Sequence, residues 1–157
     1  SGTILRECLA AAALLEADYG VRAEVFSVTS FSELRREALE CERWNMLHVG
    51  KPPRVPYVRE CFAEAKGPCI AATDYMRAVA DQVREWMPGR YVTLGTDGYG
   101  RSDSRAALRR HFEVDRNYIT VATLKALADE GKIEPKVVSA AMDKLGLSAE
   151  KPVPWKV

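Results

Sequence analysis

The chain has 157 residues, of which 47% are hydrophobic and 29% charged, the make-up of one ordinary globular domain with enough length to bury a sizeable core. Its 23 Lys and Arg stand against 22 Asp and Glu, a formal charge of +1, so no whole-molecule field draws it to nucleic acid or an anionic membrane, and a basic partner surface would have to be local. The longest apolar stretch, near Cys8 to Leu15, is too short for a bilayer and is flanked by Arg6, Glu7, Glu16 and Asp18; with no secretory signal read either, the expected location is cytoplasmic.

From Thr3 to Tyr19, apolar residues recur at spacings of three and four, the period of a helix with one buried face, and Gly20 supplies its stop. "AEVFSV", Ala23 to Val28, is short and rich in β-formers and predicts a buried strand. "SFSE", Ser30 to Glu33, has capping-box spacing and opens a second helix through "LRREALECERWNML". "HVGKPPRVP", His48 to Pro56, is a proline loop, because proline lacks the amide that regular structure requires. A short helix "YVRECFAEA" follows. "CIAATD" then predicts a strand ending on Asp74, itself the expected N-cap of a helix over "YMRAVADQVREWM". Beyond Pro88-Gly89 comes the strand "RYVTL", and after a glycine-rich turn three helical segments, "SRAALRRHF", "NYITVATLKALADEG" and "PKVVSAAMDKLG". The tail "LSAEKPVPWKV" carries two prolines and is expected to lie over the surface.

Helices alternating with short apolar strands imply crossover connections and a mostly parallel sheet with helices on both faces. Three strands are few for such a sheet, and the chain opens directly on a turn-to-helix junction, "SGTILRE". A missing N-terminal strand, and hence a fragment of a longer protein, is the expectation.

The stretch "LGTDGYGRSDSR" bears most directly on function. Gly95, Gly100, Arg101 and Ser102 read as G-x-x-x-x-G-Arg-Ser, one residue from a phosphate-binding P-loop. Two features oppose that reading. Arg101 stands where lysine should, and a planar guanidinium does not replace a compact ammonium; Asp97 places a negative charge inside the cradle. A turn into a capped helix accounts for more of the residues: Gly95, Gly98 and Gly100 for turn conformations, and Ser102 or Asp103 as cap of a helix beginning near Arg105. Arg101, Arg105 and Arg109 then recur every four residues as a candidate interface stripe. His111 and His48 have no paired nucleophile and are expected to pack or cap. The cysteines Cys8, Cys41, Cys61 and Cys69 have no C-x-x-C spacing and are expected to be buried, reduced thiols.

Together with "SVTSFSELRREALECERWNMLH", "KPPRVPYV" and "IAATDYMRAVADQVREWMP", the run "LGTDGYGRSDSRAALRRHFEVD" closely resembles the C-terminal domain of the homodimeric pyruvate dehydrogenase decarboxylase component, as far as about Gly146. The resemblance implies a transketolase C-terminal-type fold: α/β, three layers, a mixed and mostly parallel sheet between helices, with residues 1–146 as the domain and 147–157 as a tail. It implies a parent oxidoreductase that uses thiamine diphosphate and magnesium, decarboxylates pyruvate and acetylates a lipoyl group on the acetyltransferase component, itself a partner along with the second copy of a homodimer. This chain lacks the family's Gly-Asp-Gly signature and its downstream Asn; the nearest run is Thr96-Asp97-Gly98, and Asn117 follows too soon. The fragment alone is therefore expected to be inactive, with no catalytic residue and no cofactor or metal ligand. The resemblance leaves Asp97, Tyr99, Arg101 and Asp103 as candidates for an active-site entrance or interface loop, and Arg105 and Arg109 for an interface stripe.

Overall fold

The computed structural model describes residues 1–157. A 3-10 turn at Gly2–Ile4 leads into α1 (Leu5–Tyr19), which ends at Gly20 in the left-handed conformation, φ 64°. Helix α2 (Phe31–Leu47) starts as its capping spacing requires: the Ser30 hydroxyl accepts from the Glu33 amide at 3.2 Å. The proline loop holds. Helix α3 (Tyr57–Cys61) is shorter than its sequence pattern suggests, breaking into turns after Cys61.

Strands β1 (Cys69–Ala72) and β2 (Tyr91–Leu94) pair in parallel, Cys69 opposite Tyr91 and Ala72 opposite Leu94. Helix α4 (Arg77–Asp81) and a 3-10 turn at Arg84–Trp86 make the crossover between them. The two-residue period of a strand divides its side chains between two faces. Tyr91 joins a core with Phe31, Ala38, Val58, Ala80, Val83 and Trp86, from α2, α3 and the crossover. Ala72 and Leu94 point the other way, to Ile4, Ala11, Val114 and Ile119. Helices α5 (Arg105–His111), α6 (Arg116–Asp129) and α7 (Pro135–Lys144) complete the fold, and Leu15, Leu124, Val138 and Ala141 join α1, α6 and α7 in a third cluster. The layers are therefore helix, sheet, helix, as the α/β reading expected, around a sheet of two parallel strands.

Three sequence expectations are corrected. Ala23–Val28 is extended but not a strand. Its composition suits extended backbone, yet a strand exists only when a neighbour completes its ladder, and none of its amides or carbonyls finds one. Side chains hold the segment instead: Val28 packs against the core beside α2, and the Phe26 ring lies 4.8 Å from that of Phe62. Asp74 is not the N-cap of α4; Met76 occupies that position and offers no side-chain cap. The cysteines are unpaired, but only Cys41 is buried, and Cys61 is exposed.

The segment after α7 is pinned at three points on the surface. Leu147 and Pro154 are buried, and Lys151 Nζ donates to the His111 carbonyl and to Glu113, both at 2.8 Å.

Candidate functional site

The glycine-rich turn leaves the carboxyl end of β2 and is tied at once to the turn leaving β1. Thr96 donates from its amide to the Tyr75 carbonyl and from its hydroxyl to the Asp74 carbonyl, both at 2.9 Å. Gly95 makes this approach possible: a Cβ there would lie 2.6 Å from the Arg77 nitrogen and 2.7 Å from the Tyr75 oxygen. Close contact, not turn geometry, is the reason for that glycine. Gly98 does need its freedom, at φ 136° and against the Pro154 carbonyl, whereas Gly100 has neither a positive φ nor a crowding neighbour.

Asp97 faces away from the turn's mouth. Its Oδ2 accepts from the Arg77 amide at 3.2 Å and lies 3.5 Å from Arg77 Nε, so it serves the start of α4, the task the sequence suggested for Asp74. The Arg77 guanidinium in turn sits over the Trp155 ring of the tail, 5.8 Å from its centre. The helix after the turn begins at Arg105, as its spacing implies, but its cap is Ser104, which accepts from the Ala107 amide at 3.3 Å; Ser102 does not cap, and Asp103 instead accepts from the Ser104 amide at 2.7 Å.

Between this turn, α5 and the chain start lies an open groove of about 420 Å³ whose walls include Asp74, Thr96, Tyr99, Arg101, Arg105 and Arg109. The structure thus brings Tyr99, Arg101, Arg105 and Arg109 to one cavity and leaves Asp97 and Asp103 outside its walls. Tyr99 is 80% exposed. Arg101 precedes α5 and meets its far end: Nη1 lies 3.2 Å from His111 Nδ1. A guanidinium only donates, so Nδ1 accepts and the ring proton sits on Nε2. Burial, then the charges of Arg101 and Lys151, hold the His111 pKa below its ordinary value and keep the ring neutral. Arg109 is turned inward, donating to Glu7 at 2.9 Å. His48 is distant from all of this; it donates to the Trp44 carbonyl at 2.8 Å and stacks on that indole.

Glu7 is the residue the sequence reading passed over. It is 5% exposed and takes bonds from Arg109, from the Arg116 amide and from Arg116 Nε, the last two at 3.0 Å. Burial pushes its carboxyl up, but the Arg116 bonds and the charges of Arg116 and Arg109 outweigh that and hold it below the usual carboxylate range. A signal was present: Glu7 stands four before Ala11 and eight before Leu15, both buried, so an acid lay on the inward stripe of α1 and required partners there.

A second cleft, of about 440 Å³, lies between α2 and the proline loop, with Glu37, Glu40, Arg54 and Glu60 on its walls. Glu37 is committed there to packing chemistry: it accepts from the Tyr57 amide at 3.0 Å and from the Cys41 thiol at 3.1 Å.

The two-faced parallel βαβ core, with working turns at the carboxyl ends of its strands, is an α/β domain arranged as such sheets place their loops. The family described as "Transketolase-like TK C-terminal domain" matches residues 1–115, and the chain belongs to it. It is also similar to the pyruvate dehydrogenase E1 component of Pseudomonas aeruginosa, 57% identical over 152 residues, covering 96% of this chain and 17% of that protein. The Escherichia coli K12 protein of the same name is 53% identical over the same shares. That of Mycolicibacterium smegmatis is 47% identical over 143 residues, 91% of this chain and 15% of the relative. The chain therefore spans about a sixth of the length of these curated relatives.

Thiamine diphosphate and magnesium do not fit the residues that stand nearest their signature. Asp97 is committed to the Arg77 amide, and Asn117 Nδ2 donates to the Leu145 carbonyl at 3.4 Å, so both side chains are already engaged within the fold.

Proposed function

We propose that the chain is the non-catalytic C-terminal domain of a pyruvate dehydrogenase decarboxylase component. The whole enzyme, on this reading, is a homodimeric, cytoplasmic oxidoreductase that uses thiamine diphosphate and magnesium to decarboxylate pyruvate and passes the acetyl unit to a lipoyl group on the acetyltransferase component. The observation that carries it is 57% identity across 96% of the chain to a protein of that name. The domain's own task is scaffolding: the βαβ unit ties the start of the turn from Gly95 to Ser104, through Thr96, to the carboxyl ends of the strands, and Tyr99, Arg101 and Asp103 are exposed beyond that tie.

A chimera tests this. Replacing the matching 152 residues of the Pseudomonas aeruginosa protein with this sequence should preserve pyruvate decarboxylation and lipoyl acetylation; a folded chimera inert in both overturns the reading. The chain alone should show no saturable heat on titration with thiamine diphosphate and magnesium.

The exposed cations favour a second role for the same surface. Arg101 and Arg105 face solvent without an acidic partner and can meet acidic side chains of the second subunit or of the acetyltransferase component, Arg109 lying behind them. Reversing the charge with Arg105→Glu should weaken assembly at low salt and matter little at high salt; assembly unchanged at low salt removes the idea.

A further inference from the structure

The groove beside α5 has a charge pattern that the fold does not consume. Asp74 is the one acid on its walls, against Arg101, Arg105 and Arg109. Arg109 is neutralised by Glu7, at 2.9 Å. Arg101 is bonded only to a neutral imidazole, and the Arg105 side chain makes neither a hydrogen bond nor an ion pair. The Asp74 carboxylate is packed against Gly2, where even a single added carbon would come within 2.4 Å of it. Asp97, the residue that spoke against an anion in this turn, is aimed at α4 instead. Two guanidiniums without an acidic partner therefore share the walls of the groove with Leu108, Phe112 and Val114. About 420 Å³ is the size of a small-molecule cleft.

We propose that this groove binds a phosphate monoester carried on a compact apolar body, the phosphoryl oxygens taken by Arg101 and Arg105 and the body resting on Leu108 and Phe112. A phosphate monoester presents three strong acceptor oxygens, enough to engage both guanidinium forks, whereas a carboxylate has only two to share between them. Guanidinium forks also suit the spread of phosphoryl oxygens. This site differs in kind from a P-loop: side chains hold the anion, so no lysine and no amide cradle are needed. It does not rest on the parent's catalytic activity, but it uses the two arginines that the docking role would also use.

Arginine labelling with phenylglyoxal on the 157-residue chain, read peptide by peptide by mass spectrometry, tests it locally. Phenyl phosphate is the probe. It should slow modification of Arg101 and Arg105 along a saturable curve, reaching about tenfold once the probe exceeds its Kd tenfold. Arg35 and Arg59, exposed and remote from the groove, should be unaffected. Arg105→Gln, which removes no contact of the fold, should abolish protection of Arg101. Inorganic phosphate should protect more weakly than phenyl phosphate, and benzoate at equal ionic strength more weakly still. Equal slowing at Arg35 and Arg59, protection that survives Arg105→Gln, benzoate as effective as phenyl phosphate, or no saturable protection into the tens of millimolar would each overturn the site.

Discussion

At the scale of single residues, Glu7 and Gly95 decide most. Glu7 is a buried acid with two arginine partners, and removing its charge leaves Arg109 facing a neutral amide in a half-closed space. Glu7→Gln should cost about 3 kcal/mol, a buried pair losing one member, as measured by urea unfolding. The pH dependence follows from the direction of its shift. The folded carboxyl lies below its unfolded value of about 4.3, so its contribution is fully present above that pH and is lost as pH falls through the folded value. Between pH 6 and pH 3 the wild-type chain should therefore lose more unfolding free energy than Glu7→Gln does. Gly95→Ala should cost roughly 1 to 3 kcal/mol by the same measurement, because the new methyl meets backbone atoms that cannot turn aside. The site candidates divide along a similar line. Tyr99, Arg101 and Arg105 stay at the cavity, whereas Asp97 and Asp103 turn to nearby amides, and a sequence does not disclose which way a short acid bends when several amides are in reach.

At the scale of elements, caps show what local chemistry achieves. Asp115 accepts from the Tyr118 amide at 3.0 Å and starts α6, the helix that touches the sheet and packs against both α1 and α7. Asp115→Ala should lower stability by about 1 kcal/mol in thermal or urea unfolding, the ordinary value of an N-cap. Helix bounds were largely legible because a helix satisfies its own backbone: Gly20, Ser30 and Arg105 fall where their local signals place them. Asp74 and Asp97 show the limit. Both follow a strand, and only the parallel pairing of β1 with β2 brings Asp97, 20 positions on, to the first amide of α4.

At the scale of the whole molecule, the sheet is a seam between two cores, and its edges matter more than its length. Ala23–Val28 carries strand composition but no ladder, so its amides lie open. In hydrogen exchange on the 157-residue chain they should exchange like unprotected backbone, while Thr93 and its neighbours in β2, bonded and covered on both faces, should be slow; protection of Ala23–Val28 equal to that of β2 would contradict the fold described here. The tail belongs to this scale too. Trp155, Pro154 and Lys151 reach back to Arg77, Gly98 and His111, so the last residues brace the turn from Gly95 to Ser104.

Sequence by itself determined the layered α/β class, the helices and most of their ends apart from the extents of α3 and α4, and the run from Leu94 to Asp115 that carries the family likeness. Those are properties of neighbours a few positions apart, where period, cap and glycine act directly. Tertiary structure alone decided that Arg109 and Arg116 are the partners that close over Glu7, that Asp97 serves a helix and not an anion, and that Arg101 and Arg105 share one open groove. Each of these depends on which surface closes over a charge, and a charge's partner is chosen by distance in space, 102 positions along the chain in the case of Glu7 and Arg109.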